Sequence, residues 1–299
     1  MAYFLGIDGG GSQTTCVVGD EANVLGRGQS AGSNVLRVGQ DGARDSLQRA
    51  IHSACMVARV DASKMQRTVA GVAGVGRPEI REFILTVLRE AVGGDVAVVT
   101  DADAALHAAF GVRTGVVVVA GTGSIALGQD GRGSTARAGG WGWAISDEGS
   151  GPWIGRAAVR EVFREHDAGQ ESQLEKSILR ALHLSNREEL VGAANAVPQP
   201  DFGVLLPGVI AASDAGDPVA MAIFTNAGRE LAGLAKVVAG HLFADSATVR
   251  VAMYGGAFVH APNLRNAFYT SLQDQLPGAV LLPDLADPVL GALRMARGV

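Results

Sequence analysis

One unit occurs twice in this chain, and it restricts the fold more than any other feature. Residues 3–28 read as a short apolar strand (Tyr3–Ile7), a glycine turn (Asp8-Gly9-Gly10-Gly11-Ser12), a second strand (Thr14–Val18), a polar turn (Asp20-Glu21-Ala22-Asn23) and a third strand (Val24–Gly28). The order returns over residues 115–138. Val116–Ala120 is a β-branched run, Gly121-Thr122-Gly123-Ser124 is a tight turn, Ile125–Leu127 continues as a strand, and Gln129-Asp130-Gly131-Arg132 is a hairpin signal. Gly9 and Gly121 stand at equivalent places, 112 residues apart. Self-similarity on that scale means a duplicated domain.

Between the two hairpin units the periodicity changes. Ala43, Leu47, Ala50, Ile51, Ala54, Val57 and Ala58 recur at helical spacing. Thr68–Ala73 and Val96–Thr100 read as strands, and a helix between them opens near Pro78. Three strands followed by alternating helices and strands build a mixed sheet covered by helices, an α/β class. In the second half, helices are expected from Pro152, from Ser172-Gln173-Leu174-Glu175 and Ser185-Asn186-Arg187-Glu188 as capping boxes, and from Asp217-Pro218. Strand Thr248–Tyr254, turn Gly255-Gly256, a helix from Pro262, strand Ala279–Leu282 and a helix from Asp287-Pro288 follow. The boundary is placed near Gly111–Gly115. This divides the chain into residues 1–112 and residues 113–286 with a helical insertion, while helix 287–299 packs back on the first domain.

Composition narrows the partners. The chain has 299 residues, with Lys+Arg 25 against Asp+Glu 30 and a net charge of −5, and no basic stripe. Nucleic acid is therefore not the expected partner, and small molecules are. Cys16 and Cys55 match neither zinc spacing nor a disulfide framework, which points to a reducing compartment, the cytoplasm. The uncharged run Gly115–Gln129 is too short for the ~20 residues of a membrane span, and Tyr3 starts a strand at once, so neither a membrane span nor a signal peptide is expected. Glycine is in excess, at 41 residues or about twice the usual share of ~7%. Glycine is needed where a ligand must approach backbone N–H groups.

Asp8-Gly9-Gly10-Gly11-Ser12-Gln13-Thr14 joins two strands, so it is neither a Walker loop nor a dinucleotide fingerprint. Its N–H groups can still cradle a phosphate, and Asp8 at a strand end can hold hydrated Mg²⁺. A glycine cluster is also what any tight hairpin uses, but a second turn, Gly121-Thr122-Gly123-Ser124, at the equivalent place favours a polyphosphate. Asp101 follows strand Val96–Thr100, where open α/β sheets place catalytic groups. Thr100-Asp101-Ala102-Asp103 also fits a capping box, so Asp101 is read as functional and Asp103 as structural. All three tryptophans lie between 141 and 153. Trp141 and Trp143 in a glycine-rich loop, followed by Asp147 and Glu148, suit a sugar: flat rings meet C–H faces and carboxylates accept from hydroxyls. Trp153, on the following helix, is read as packing. Asp147 is favoured as a ligand group and Glu148 is left open. The six histidines form no metal-binding pattern.

These residues carry a family resemblance. Asp8-Gly9-Gly10-Gly11-Ser12 resembles the first phosphate loop, Gly121-Thr122-Gly123-Ser124 the second, and Tyr254-Gly255-Gly256-Ala257-Phe258 the adenosine motif of the actin, hexokinase and heat-shock chaperone superfamily. Gly139-Gly140-Trp141-Gly142, Asp147-Glu148-Gly149-Ser150-Gly151 and Asp284–Ala292 look like the BadF/BadG/BcrA/BcrD ATPase family and its N-acetylglucosamine and glucosamine kinases. The resemblance implies duplicated actin-like (ribonuclease H-like) domains, with mixed five-stranded sheets flanked by helices and a cleft between lobes. It implies ATP and Mg²⁺ as cofactors, an amino sugar as substrate, and a homodimer. Asp101 would be the base for the sugar 6-hydroxyl, with Asp103 as an alternative. Asn34, Trp141 and Asp147 would contact the sugar, and Gly255 and Gly256 would flank the adenine and ribose. Two rival functions are an iron–sulfur ATPase that activates a dehydratase or reductase and a non-catalytic sugar-binding regulator. The inward places expected for Cys16 and Cys55 count against the first.

Overall fold

The computed structural model describes residues 2–244 and 248–299. Its first strands are β1 (Tyr3–Gly9), β2 (Gln13–Gly19) and β3 (Val24–Ala31), followed by α1 (Val35–Ala58), β4 (Met65–Val72), α2 (Pro78–Ala91), β5 (Asp95–Val99) and α3 (Asp101–Phe110). The second run is β6 (Gly115–Ala120), β7 (Ser124–Gln129) and β8 (Thr135–Gly139), then α4 (Gly151–Asp167), α5 (Glu175–Ala181), α6 (Arg187–Ala194), α7 (Leu206–Asp214) and α8 (Pro218–Leu242). It closes with β9 (Val249–Tyr254), α9 (Gly256–His260), α10 (Pro262–Gln275), β10 (Ala279–Leu281) and α11 (Pro288–Arg297).

Two five-stranded sheets result, ordered β3-β2-β1-β4-β5 and β10-β9-β6-β7-β8. In each, the three hairpin strands occupy one side and two later strands extend the other. In the first sheet β1 pairs antiparallel with β2 and parallel with β4, and β4 pairs parallel with β5, so the sheet is mixed. The register runs Asp8↔Gly71 and Gly71↔Val99, so the carboxyl ends of β1, β4 and β5 share one edge.

Contacts divide the chain into one unit of Met1–Val117, Leu127–Ser134 and Asp284–Val299 and another of Val118–Ala126 and Thr135–Pro283. In the first, α1 and α2 cover one side of the sheet, with Leu5, Ile7, Cys16, Leu47, Ile51, Ile84 and Leu88 buried between them. α11 joins Phe4, Val17, Val69 and Ala104 through Val289, Ala292, Leu293 and Ala296, all buried. In the second, α8 and α10 pack together, with Phe224, Phe258 and Phe268 buried. Among the described residues no single helix is long and apolar enough to cross a membrane. One pair, Phe202–Asp214 with Pro218–Leu242, passes by length and composition but is bent by 117°.

Three local expectations change. Helix α1 starts at Val35, ahead of the amphipathic stripe, because Asn34 caps it and Gly39 (φ 72°) interrupts its first turns. Ser172 does not cap α5: its Oγ accepts from Leu174 N–H at 3.3 Å, which closes a local turn before the helix begins at Glu175. The cap of α6 is Asn186 instead of Ser185. Asn186 accepts from Glu189 N–H at 2.9 Å while Glu189 accepts from Ser185 N–H at 2.7 Å, moving the reciprocal pair one residue along.

Candidate active site

The proposed groups fall into two clusters, one in each unit. In the first, the β1–β2 hairpin closes with Gly10 N–H on the Gln13 carbonyl at 2.9 Å. Gly10 in turn accepts from the N–H groups of Ser33 (3.0 Å) and Asn34 (3.2 Å), and the Gly9 carbonyl accepts from Ala73 N–H at 2.8 Å. The first glycine turn is thus held to the start of α1 and to the end of β4. Ser12 and Gln13 at its tip are exposed. Thr14, expected on the nucleotide side, is fully buried and donates to Ser33 Oγ at 2.9 Å, so its side chain supports the turn from beneath. Asn34 Oδ1 accepts from Leu36 N–H at 3.0 Å as the α1 cap.

Asp8 and Asp101 lie at the shared carboxyl edge of the parallel strands. Neighbouring strands are ~4.8 Å apart, so an Asp on β1 and one just past β5 stand roughly two strand spacings apart. Asp101 opens α3, and its neighbours have separate tasks. Thr100 N–H and Oγ donate to Asp103 Oδ2 at 3.0 and 2.7 Å, while Thr100 Oγ accepts from Asp103 N–H at 3.1 Å. Asp103 is therefore occupied by a reciprocal cap. Burial pushes the Asp101 carboxyl up to about 6. The N–H groups of Ala102 and Asp101 itself work against this, and the charge of Asp103 adds to it.

In the second unit, the turn Gly121–Ser124 closes with Gly121 N–H on the Gly123 carbonyl at 2.9 Å. The Gly121 carbonyl accepts from Gly151 N–H at 2.9 Å, which brings the turn to the start of α4. Ser150 caps that helix by accepting from Trp153 N–H at 3.3 Å. Gly255 (φ 111°) passes so near β6 that a Cβ there would lie 2.3 Å from the Ala120 carbonyl oxygen. A Cβ on Gly121, by contrast, would meet only Gly256 N, at 3.9 Å. The turn and the Gly255–Gly256 segment therefore flank an open cradle of backbone, the shape a phosphate or ribose needs.

Asp147 is 8% exposed, and its Oδ1 accepts from Ser124 N–H at 3.1 Å. Burial raises its carboxyl above the usual range, the Ser124 bond lowers it and the Glu148 charge raises it. Ser124, only 2% exposed, donates its hydroxyl to the Glu148 carbonyl at 2.7 Å. Trp141 is 65% exposed; the Arg137 guanidinium lies 4.3 Å over its ring and is steadied by the carbonyls of Gly139 (2.9 Å) and Gly140 (3.2 Å). One Trp141 face carries a cation and the rest meets solvent. The tie between Asp147 and Ser124 joins residues 23 positions apart, and no local sequence pattern signals it. Cys16 and Cys55 are both buried in the first unit's core.

The model of the BadF/BadG/BcrA/BcrD ATPase family matches residues 5–296. The N-acetylmuramic acid/N-acetylglucosamine kinase of Clostridium acetobutylicum is 31% identical over 302 residues, covering 99% of each chain. The N-acetyl-D-glucosamine kinase of Dictyostelium discoideum is 29% identical over 309 residues, 98% of this chain and 97% of its own. Among solved structures, a Chromobacterium violaceum protein provisionally named an N-acetylglucosamine kinase superposes with a TM-score of 0.79 at 25% identity, covering 99% of both chains.

Proposed function

Because the chain belongs to the BadF/BadG/BcrA/BcrD ATPase family, we propose that it is an ATP-dependent amino-sugar kinase acting on the 6-hydroxyl of N-acetylglucosamine or glucosamine. The observation that carries this reading is Asp101. It sits at the carboxyl edge of the parallel strands, its neighbour Asp103 is occupied by the helix cap, and burial tunes its carboxyl to about 6. A base is most effective when its pKa lies near the working pH.

In this reading the Asp101 carboxylate accepts the hydroxyl proton as the sugar oxygen bonds to the γ-phosphorus, and the bond to the β–γ bridging oxygen breaks, releasing ADP. Phosphoryl transfer depends mainly on positioning and charge stabilisation. The turns Gly9–Gln13 and Gly121–Ser124 would receive the phosphates on the backbone N–H groups of Gly11, Ser12, Thr122 and Gly123, while the N–H groups of Gly10, Gly121 and Ser124 hold the turns in shape through Gln13, Gly123 and Asp147. Gly255 and Gly256 give the nucleoside an approach that no Cβ obstructs. Asp8 would hold Mg²⁺, which would neutralise phosphate charge when bound; a carboxylate at a strand end beside a phosphate turn is a donor that fits this ion. Asn34, Trp141 and Asp147 would orient the sugar.

The direct test is sugar-dependent ADP release, assayed with N-acetylglucosamine, glucosamine, N-acetylmuramic acid and glucose. Turnover is expected with at least one amino sugar. If none of them raised ADP release above the sugar-free rate, the kinase reading would fail.

A further inference from the structure

Three hydrogen bonds lock the second glycine turn to the segment that follows the tryptophan loop, and a fourth closes that segment on itself. Ser124 N–H donates to Asp147 Oδ1 (3.1 Å) and Ser124 Oγ to the Glu148 carbonyl (2.7 Å). Ser150 N–H donates to the Asp147 carbonyl (3.1 Å) and Gly151 N–H to the Gly121 carbonyl (2.9 Å). Asp147 is the pivot, since both its side chain and its carbonyl take part. Its backbone has φ 70°, a left-handed conformation that Asp and Asn tolerate better than most residues. Its carboxylate lies against Gly123, where a Cβ would come within 3.0 Å of it. Residue 123 must therefore stay small for the carboxylate to reach the Ser124 N–H.

From this arrangement we propose that Asp147 is a positioning residue for the phosphate turn, in addition to any contact with sugar. Its carboxylate fixes the Ser124 N–H and holds Gly121–Ser124 in the shape that receives a nucleotide phosphate. Because the same residue ends the Trp141 loop, whatever orders that loop is felt at the turn, and nucleotide and sugar sites are energetically coupled through residue 147. Such coupling is reciprocal. The inference rests on the kinase reading only in taking the turn to receive a nucleotide.

The test compares Asp147→Asn with Asp147→Gly. Both remove the same charge and both suit a positive φ, but only Asn retains an oxygen able to accept from Ser124 N–H. Binding of AMPPNP, a non-hydrolysable ATP analogue, is measured by calorimetry without sugar, so the result does not depend on which sugar is used or on turnover. The Gly variant is expected to bind at least ~10-fold more weakly than the Asn variant, the scale of one hydrogen bond that sets a site. Hydrogen exchange at the Ser124 amide should be faster in the Gly variant alone. Equal AMPPNP affinity in the two variants overturns the proposal, because a group that contributed only charge or only a sugar contact would not distinguish them. Failure of the kinase reading would appear elsewhere, as wild-type protein that releases no ADP with any sugar.

Discussion

Asp101 and Asp103, two residues apart in the first turn of α3, differ in chemistry: the first carries a raised pKa, the second is consumed by Thr100. Asp101→Asn is expected to lower kcat by roughly 10²–10⁴-fold while sugar affinity survives, the usual worth of a positioned base. Asp103→Ala should instead cost about 1 kcal/mol in urea denaturation through loss of the cap, and leave kcat within about tenfold of wild type. If the two variants behaved alike in turnover, the division of labour would be wrong. The pH profile follows from the same group. A base with a pKa of about 6 is protonated below it, so kcat/KM should fall on an acid limb near pH 6, and Asp101→Asn should lose that limb. Stability moves with the opposite sign. The folded pKa lies above the ordinary carboxylate value of 3.8, so the native state binds the extra proton between those values and stability declines as pH rises from about 4 to 6. Thermal scans should find Asp101→Asn more stable than wild type at pH 7.5, with the gap narrowing towards pH 4. At this scale the structural role of Asp103 was legible, because Thr100-Asp101-Ala102-Asp103 fits a capping box and the cap forms. Thr14 and Ser124 were harder. Both sit in glycine turns that read as ligand loops, yet their burial depends on Ser33 and on Asp147 with Glu148, partners brought in by the fold from outside each turn.

At the level of elements, the hairpin units, the proline-led helices and both sheets could be read from periodicity and turn residues. What escaped were ends decided by side-chain reach. Asn186 outcompetes Ser185 for the α6 cap because the Glu189 carboxylate, and not that of Glu188, reaches back. Helix α1 gains its early turns from Asn34, beyond the reach of the apolar stripe that starts at Ala43. The turn between β9 and α9 depends on Gly255, whose φ of 111° and nearness to the Ala120 carbonyl leave no room for a side chain. Gly255→Ala should destabilise the protein by roughly 1–3 kcal/mol from backbone strain, and AMPPNP affinity should fall with it. Unchanged stability and affinity would mean that the β9–α9 turn relaxes without consequence for the nucleotide.

For the molecule as a whole, the duplicated unit explains why two sheets of the same order arise from one chain, but contiguous halves do not describe the contact units. The first unit takes in Leu127–Ser134 and Asp284–Val299 from later in the chain. Truncation after Pro283 removes Val289, Ala292, Leu293 and Ala296 from contact with Phe4, Val17, Val69 and Ala104. At ~1.5–3 kcal/mol for each large apolar side chain uncovered, the shortened protein should be recovered largely in the insoluble fraction, and a soluble, cooperatively melting product would contradict this account of the core. There is also a consequence in time. α11 is held so close to α3 that a Cβ on Gly291 would lie 2.1 Å from the Ala104 carbonyl oxygen. The segment that seals the first strands, α11, is synthesised long after them. At ~5–20 residues per second, β1 waits many seconds on the ribosome with one side of its sheet uncovered. The first unit is therefore completed only once α11 has been made.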